Sequence, residues 1–220
     1  MSVRQTVSDS KAKFHKEFDY VIPALYRRIV DEFIVELNLL HNQKDFKIDS
    51  LFAFGLVKTY RDLTKGYKPE AHTNKLFSAI CNSTNFDPAI INEKYNKIID
   101  QKDLLVKHLN EIEHTEEKEI VNFFVKEIGF QKDNYYSRLS GIGLCLLIEF
   151  LSFEQTKNKD KDNFIKAITK SLDINQDRLH KDINLYTSNI DKVKKMEELI
   201  KINIAEEAKR RKSREEKKVS

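Results

Sequence analysis

The sequence predicts an all-α fold, a multi-helix bundle of about nine helices ending in a long amphipathic, coiled-coil-like helix. Three observations predict it. Helix breakers are scarce: Gly 5 and Pro 3 in 220 residues, about 4% against roughly 12% in ordinary usage. Charged residues make up 34% and hydrophobic residues 40%, which supplies solvated faces together with enough apolar surface for a core. Apolar residues recur every three or four positions along most of the chain, and no stretch alternates with the period of a half-buried strand.

Ser8, Asp9 and Ser10 are N-cap candidates for a short first helix through Phe14 and Phe18. The next helix, from Pro23 to His41, reads as the centre of the bundle. Its proline suits a first turn. Leu25, Tyr26, Ile29, Val30, Phe33, Ile34, Leu37 and Leu40 cover about half its circumference, and Val35 and Leu39 add apolar surface on the far side. Arg27, Arg28, Asp31, Glu32 and Glu36 share the remainder. Arg27–Asp31 and Arg28–Glu32 stand at i,i+4. These five charges form either a surface ridge or a buried or partner-facing structural network.

Asp49 or Ser50 starts a third helix, with Gly66 in the C′ role. A fourth runs from about Thr73 to Ser83. Asp87-Pro88 pairs an N-cap with an N1 proline and opens a helix expected to continue to about Glu113. Thr115 caps another, closed by Gly129. Leu139 to Leu151 is apolar nearly all round and therefore buried, with Gly141 and Gly143 permitting close backbone approach. A polar loop, Gln155 to Asp162, leads to a helix around Phe164, Ile165, Ile168 and Leu172. From Gln176 a narrower stripe follows: Leu179, Ile183, Tyr186, Ile190, Val193, Met196, Ile200 and Ile204. The organisation expected is a bundle domain over residues 1–175 and a C-terminal helical arm with a basic tail over residues 176–220.

Between Ala205 and Ser220 there are seven Lys/Arg and four Glu, so the tail carries +3 of the total +4. Lys209, Arg210, Arg211, Lys212 and Arg214 are its candidate contacts with a partner or membrane. Cys81 and Cys145 lie far apart without a CxxC spacing, as expected of two buried thiols in a reducing compartment. Val3 to Lys16 has no apolar core of a secretory signal. Leu139 to Leu151 is shorter than the ~20 residues of a bilayer span.

No constellation for catalysis emerges. Glu111 and His114 have the spacing used in di-iron bundles, but their only near match is Asp177 with His180, and such sites need further glutamates on facing helices. A metal site is rejected on that ground. Gly141-Ile142-Gly143 follows no strand and lacks the third glycine of a dinucleotide loop. Tyr135 and Tyr136 could stack on bases, but the segment is not basic, and packing explains them better. The reading is of a non-enzyme with no catalytic residue, cofactor or metal.

Three segments together resemble one family: residues 6–15 (TVSDSKAKFH) running into 26–40 (YRRIVDEFIVELNLL), residues 46–70 (FKIDSLFAFGLVKTYRDLTKGYKPE), and residues 135–151 (YYSRLSGIGLCLLIEFL). The chain resembles the thylakoid formation proteins, or photosystem II biogenesis factors, of cyanobacteria and plastids. Its lysine, asparagine and isoleucine bias, without a transit peptide, points to a cyanobacterium. The resemblance implies an all-helical auxiliary protein for photosystem II assembly and repair and for thylakoid membrane organisation. It implies as partners an FtsH-type membrane protease and photosystem II subunits or assembly intermediates. The location implied is cytoplasmic, peripheral on the cytosolic face of the thylakoid membrane. At Ser140-Gly141 the chain departs from the family pattern, which more often has a bulkier residue and alanine. The alternative is a helical protein that binds anionic surfaces, RNA or lipid, through its basic tail; between these, no nucleic-acid partner is expected.

Overall fold

The computed structural model describes residues 4–111, 117–152 and 158–219, with backbone only at 117, 152, 158–164 and 211–219. Among them there are ten α-helices and no strand. They are α1 (Val7–Glu17), α2 (Ala24–His41), α3 (Ser50–Leu63), α4 (Thr73–Ser83), α5 (Pro88–Asp100), α6 (Lys102–Glu111), α7 (Glu117–Asn122), α8 (Arg138–Ser152), α9 (Asn158–Ser171) and α10 (Gln176–Val219). A 3-10 turn, Glu70–His72, leads into α4, and α7 continues as a π-helical segment, Phe123–Ile128.

The caps explain most of the boundaries. Thr6 and Asp9 form a capping box at the start of α1, ahead of the Ser8–Ser10 cluster expected to cap it. Asp49 caps α3 by accepting from the Phe52 amide at 2.9 Å, and Asp87 caps α5 ahead of Pro88. Gly129, at φ 81, closes the π-helical segment in the left-handed region that only glycine enters cheaply. Gly66 does not end α3: Thr64 is the C-cap, and its hydroxyl donates to the Tyr60 carbonyl at 2.7 Å.

The helix expected to run from 89 to 113 breaks after Asp100, which turns nine helices into ten. No glycine or proline marks the break. α5 packs on α3 through Ile91, Tyr95 and Ile98, whereas Leu105 and Leu109 turn α6 towards α8, so a straight rod could not serve both. The expected loop at 155–162 is likewise shortened, because α9 starts at Asn158. Thr115 and His114 lie outside the described residues.

The centre of the bundle is α3 against α8, not α2. Every residue of α3 except Lys58, Arg61 and Asp62 is buried. α2 buries one broad face, from Tyr26 through Leu37 to Leu40, but leaves Arg28, Asp31 and Leu39 exposed. The physical reason is the crossing of two glycines. A Cβ on Gly143 would overlap the Leu51 carbonyl and lie 2.9 Å from the Gly55 nitrogen, while one on Gly55 would overlap the Leu139 carbonyl. The two backbones touch, which brings the flanking side chains of both helices into a single core. Asn38, buried on α2, ties α1 in place by donating to Ser10 Oγ at 2.9 Å and to the Thr6 carbonyl at 3.3 Å.

Candidate interaction surface

Because α2 keeps an open face, a groove forms between it and the first half of α10. Its volume is about 740 Å³. Val35 and Leu39 supply the α2 wall, Leu185, Asn189 and Lys192 the α10 wall, and Tyr135 and Tyr136 close one end. The two tyrosines arrive on the loop before α8, which the buried Asp49 fixes by accepting from Asn134 Nδ2 at 3.2 Å. Leu39, Leu185 and Tyr135 are large and exposed.

The five charges of α2 divide between surface and interior. Arg28 pairs with Glu32 at 2.9 Å, and the arginine side chain is 85% exposed. Arg27 and Asp31 do not meet. Arg27 Nε donates to the Ile22 carbonyl at 3.0 Å, and Asp31 pairs with Lys11 of α1 at 2.8 Å. Glu36 lies at the floor of the groove, where its carboxylate pairs with Arg138 at the head of α8. Burial pushes the Glu36 carboxyl above the usual glutamate range, opposed by the Arg138 guanidinium.

α10 is fastened over this floor by three phenol–carboxylate hydrogen bonds. Tyr136 donates to Asp182 at 2.8 Å, Tyr186 to Asp62 of α3 at 2.7 Å, and Tyr26 to Glu197 at 3.0 Å. Burial, and then the carboxylate itself, raises each phenol above its ordinary range, so each stays a donor. The Arg178 guanidinium stacks 4.6 Å over the Tyr136 ring, a contact that also holds this tyrosine at the groove. Among the described side chains of α10, Leu179 and Val193 are the buried apolar ones. The polar clasps therefore carry much of its register on the body.

Of the basic tail, Lys209 and Arg210 are exposed, and Arg210 approaches Glu206 at 3.8 Å. Arg211, Lys212 and Arg214 lie outside the residues whose side chains are described. Asp177 and His180 sit exposed on α10, and His114 is outside the described residues. Among the described residues no group of three or more His, Cys, Asp or Glu could hold a metal. Cys81 is buried, as expected, but Cys145 is half-buried at the edge of α8.

Sequence reasoning missed Arg138, Asp182, Asp62 and Glu197 as partners of the residues it named. Arg138 carried a signal, a lone arginine at the head of the most apolar helix. The clasps carried none, because their partners are separated by 46 to 171 positions.

A model of the thylakoid formation protein family matches residues 6–216. This chain belongs to the thylakoid formation protein family. Among similar proteins, a Protein Thf1 of Prochlorococcus marinus strain NATL1A is 42% identical, over 93% of this chain and 98% of its own length. A Protein Thf1 of Synechococcus sp. strain CC9605 is 34% identical, over 97% of this chain and 95% of its own. A solved structure of Psb29 shares the architecture at a TM-score of 0.77 and 26% identity, covering 94% of this chain and 98% of that one. No described helix is long and apolar enough to cross a membrane.

Proposed function

We propose that this protein is a non-enzymatic auxiliary factor for photosystem II biogenesis and repair and for thylakoid membrane organisation. It acts by protein–protein contact, peripherally on the cytosolic face of the thylakoid, and supports an FtsH-type membrane protease. The observation that carries this reading is family membership over residues 6–216. The groove adds support: its tyrosine and arginine side chains are of the kind that anchor protein contacts, and it offers no nucleophile beside a base. The body over residues 1–175 is the platform, and α10 is the arm that completes the groove and extends from it.

The test is capture from detergent-solubilised thylakoids with the tagged full chain and with a Leu39→Asp, Leu185→Asp double variant. Both side chains are exposed, so the variant keeps its fold. The protease and photosystem II intermediates are expected with the full chain and depleted with the variant. Disrupting the gene should lower protease abundance and slow recovery from high light. Unchanged abundance with normal recovery overturns the proposal.

A further inference from the structure

Glu197 is the last described residue of α10 that is not exposed; it bonds Tyr26 and lies against Gly66. Every described residue from Glu198 to Arg210 is exposed. Within this exposed stretch and the turn before it, Met196, Leu199, Ile200, Ile202 and Ile204 are all large exposed apolar side chains. Stepping ~100° per residue, they span an arc of about 200°. Asn203 is the one polar residue in that arc between positions 196 and 204, while Glu197, Glu198 and Lys201 share the opposite side. The collar is about 13 Å long at 1.5 Å per residue.

Its flanks are charged. Lys194 and Lys195 precede it, and Glu206, Glu207, Lys209 and Arg210 follow. From Lys194 to Arg214 eight Lys/Arg face four Glu, a net +4.

The shape and the charge together select the occupant. A two-helix seam needs a narrow stripe sustained over three or four heptads, whereas this arc is wide and spans little more than one. A second copy would bring the same +4 against it. A bilayer surface, in contrast, is a half-space, and a helix sunk to its axis presents about half its circumference to lipid. Basic residues either side of an apolar segment meet anionic headgroups at about 1 kcal/mol each.

We infer that residues 194–210 form an interfacial membrane-binding element. Leu199, Ile200, Ile202 and Ile204 enter the headgroup–acyl boundary of an anionic leaflet, with Lys194, Lys195, Lys209 and Arg210 at its phosphates. This rests on the peripheral placement proposed above and names the surface that provides it. Within residues 194–210 four glutamates face five Lys/Arg, and Arg211, Lys212 and Arg214 follow directly, so attachment is reversible and weakened by salt.

The test is sedimentation of the full chain with vesicles of phosphatidylglycerol and phosphatidylcholine, and with phosphatidylcholine alone. Binding is expected to the first only, and to fall with salt. A Leu199→Ser, Ile200→Ser, Ile204→Ser variant should melt at the wild-type temperature, since all three side chains are exposed. It should lose at least about tenfold in partition, because each apolar side chain withdrawn from water contributes a factor of about ten or more. Absence of wild-type binding, or binding unchanged in the variant, overturns the inference. Self-association that the variant abolishes, without vesicle binding, assigns the collar to a second copy instead. No protease or photosystem is present in this assay, so its failure leaves the docking proposal standing.

Discussion

Replacing Gly143 with alanine tests the packing that centres the molecule on α3 and α8. In an exposed helix, glycine to alanine gains about 1 kcal/mol. At Gly143 the new methyl would meet the Leu51 carbonyl and both the nitrogen and Cα of Gly55, at 2.9 and 3.0 Å for the last two. These are backbone atoms of the facing helix and cannot rotate away, so the two helices must separate. Overpacking of that kind costs about 1–3 kcal/mol, and a backbone collision belongs at the upper end. The net expectation is a loss of about 2 kcal/mol. For 220 residues the unfolding entropy is about 0.46 kcal/mol/K, so Tm should fall by roughly 4 °C. Gly141→Ala is the internal control. Its methyl would meet the Tyr136 phenol and Leu179 Cδ1, side-chain atoms that give way at the expense of the Tyr136–Asp182 bond but without parting two helices, so its loss should be smaller. Calorimetry or a thermal melt followed by circular dichroism reads both. A Gly143→Ala protein melting at or above wild type refutes the close crossing.

Leu37 is fully buried, so Leu37→Asp strands a carboxylate at a cost of several kcal/mol, comparable to a whole domain's stability, and should abolish the cooperative melt. Arg28→Ala removes a surface pair worth at most about 0.5 kcal/mol, and its melt should barely move; a loss like that of Leu37→Asp would mean the ridge is buried. Glu36 titrates above its unfolded value, so the native state holds that proton more tightly. Stability from this group is therefore lost as pH rises from the ordinary glutamate range through the raised native pKa. Denaturant titrations across that window should show wild type losing stability relative to Glu36→Gln as pH rises, and the opposite slope refutes the assignment. Truncation after Ile204 removes a segment whose described side chains, 205–210, are exposed, and should leave Tm nearly unchanged while reducing association with thylakoids; a much earlier melt would mean that the tail packs on the body.

The helical class, the start of α3 at Asp49 or Ser50, the cap at Asp87, the helix end at Gly129, the buried helix over residues 139–151 and the family were all legible in the sequence. These are local matters: periodicity, capping chemistry and segment resemblance act within a few residues of one another. The sequence by itself did not determine which helix is central. α2 and α3 are both strongly apolar, and the choice rests on Gly55 meeting Gly143, a complementarity between helices 88 positions apart. Nor could spacing foretell that Glu36 leaves the charged ridge to pair with Arg138, while Asp31 turns to Lys11. The i,i+4 rule describes what an isolated helix offers, and tertiary packing decides which offers are taken. The same holds for α10. Its apolar stripe was plain, but only the fold decided that it lies clasped to the body as far as Glu197 and is exposed from Glu198 to Arg210, because the three tyrosine clasps depend on surfaces assembled from α2, α3 and the loop before α8.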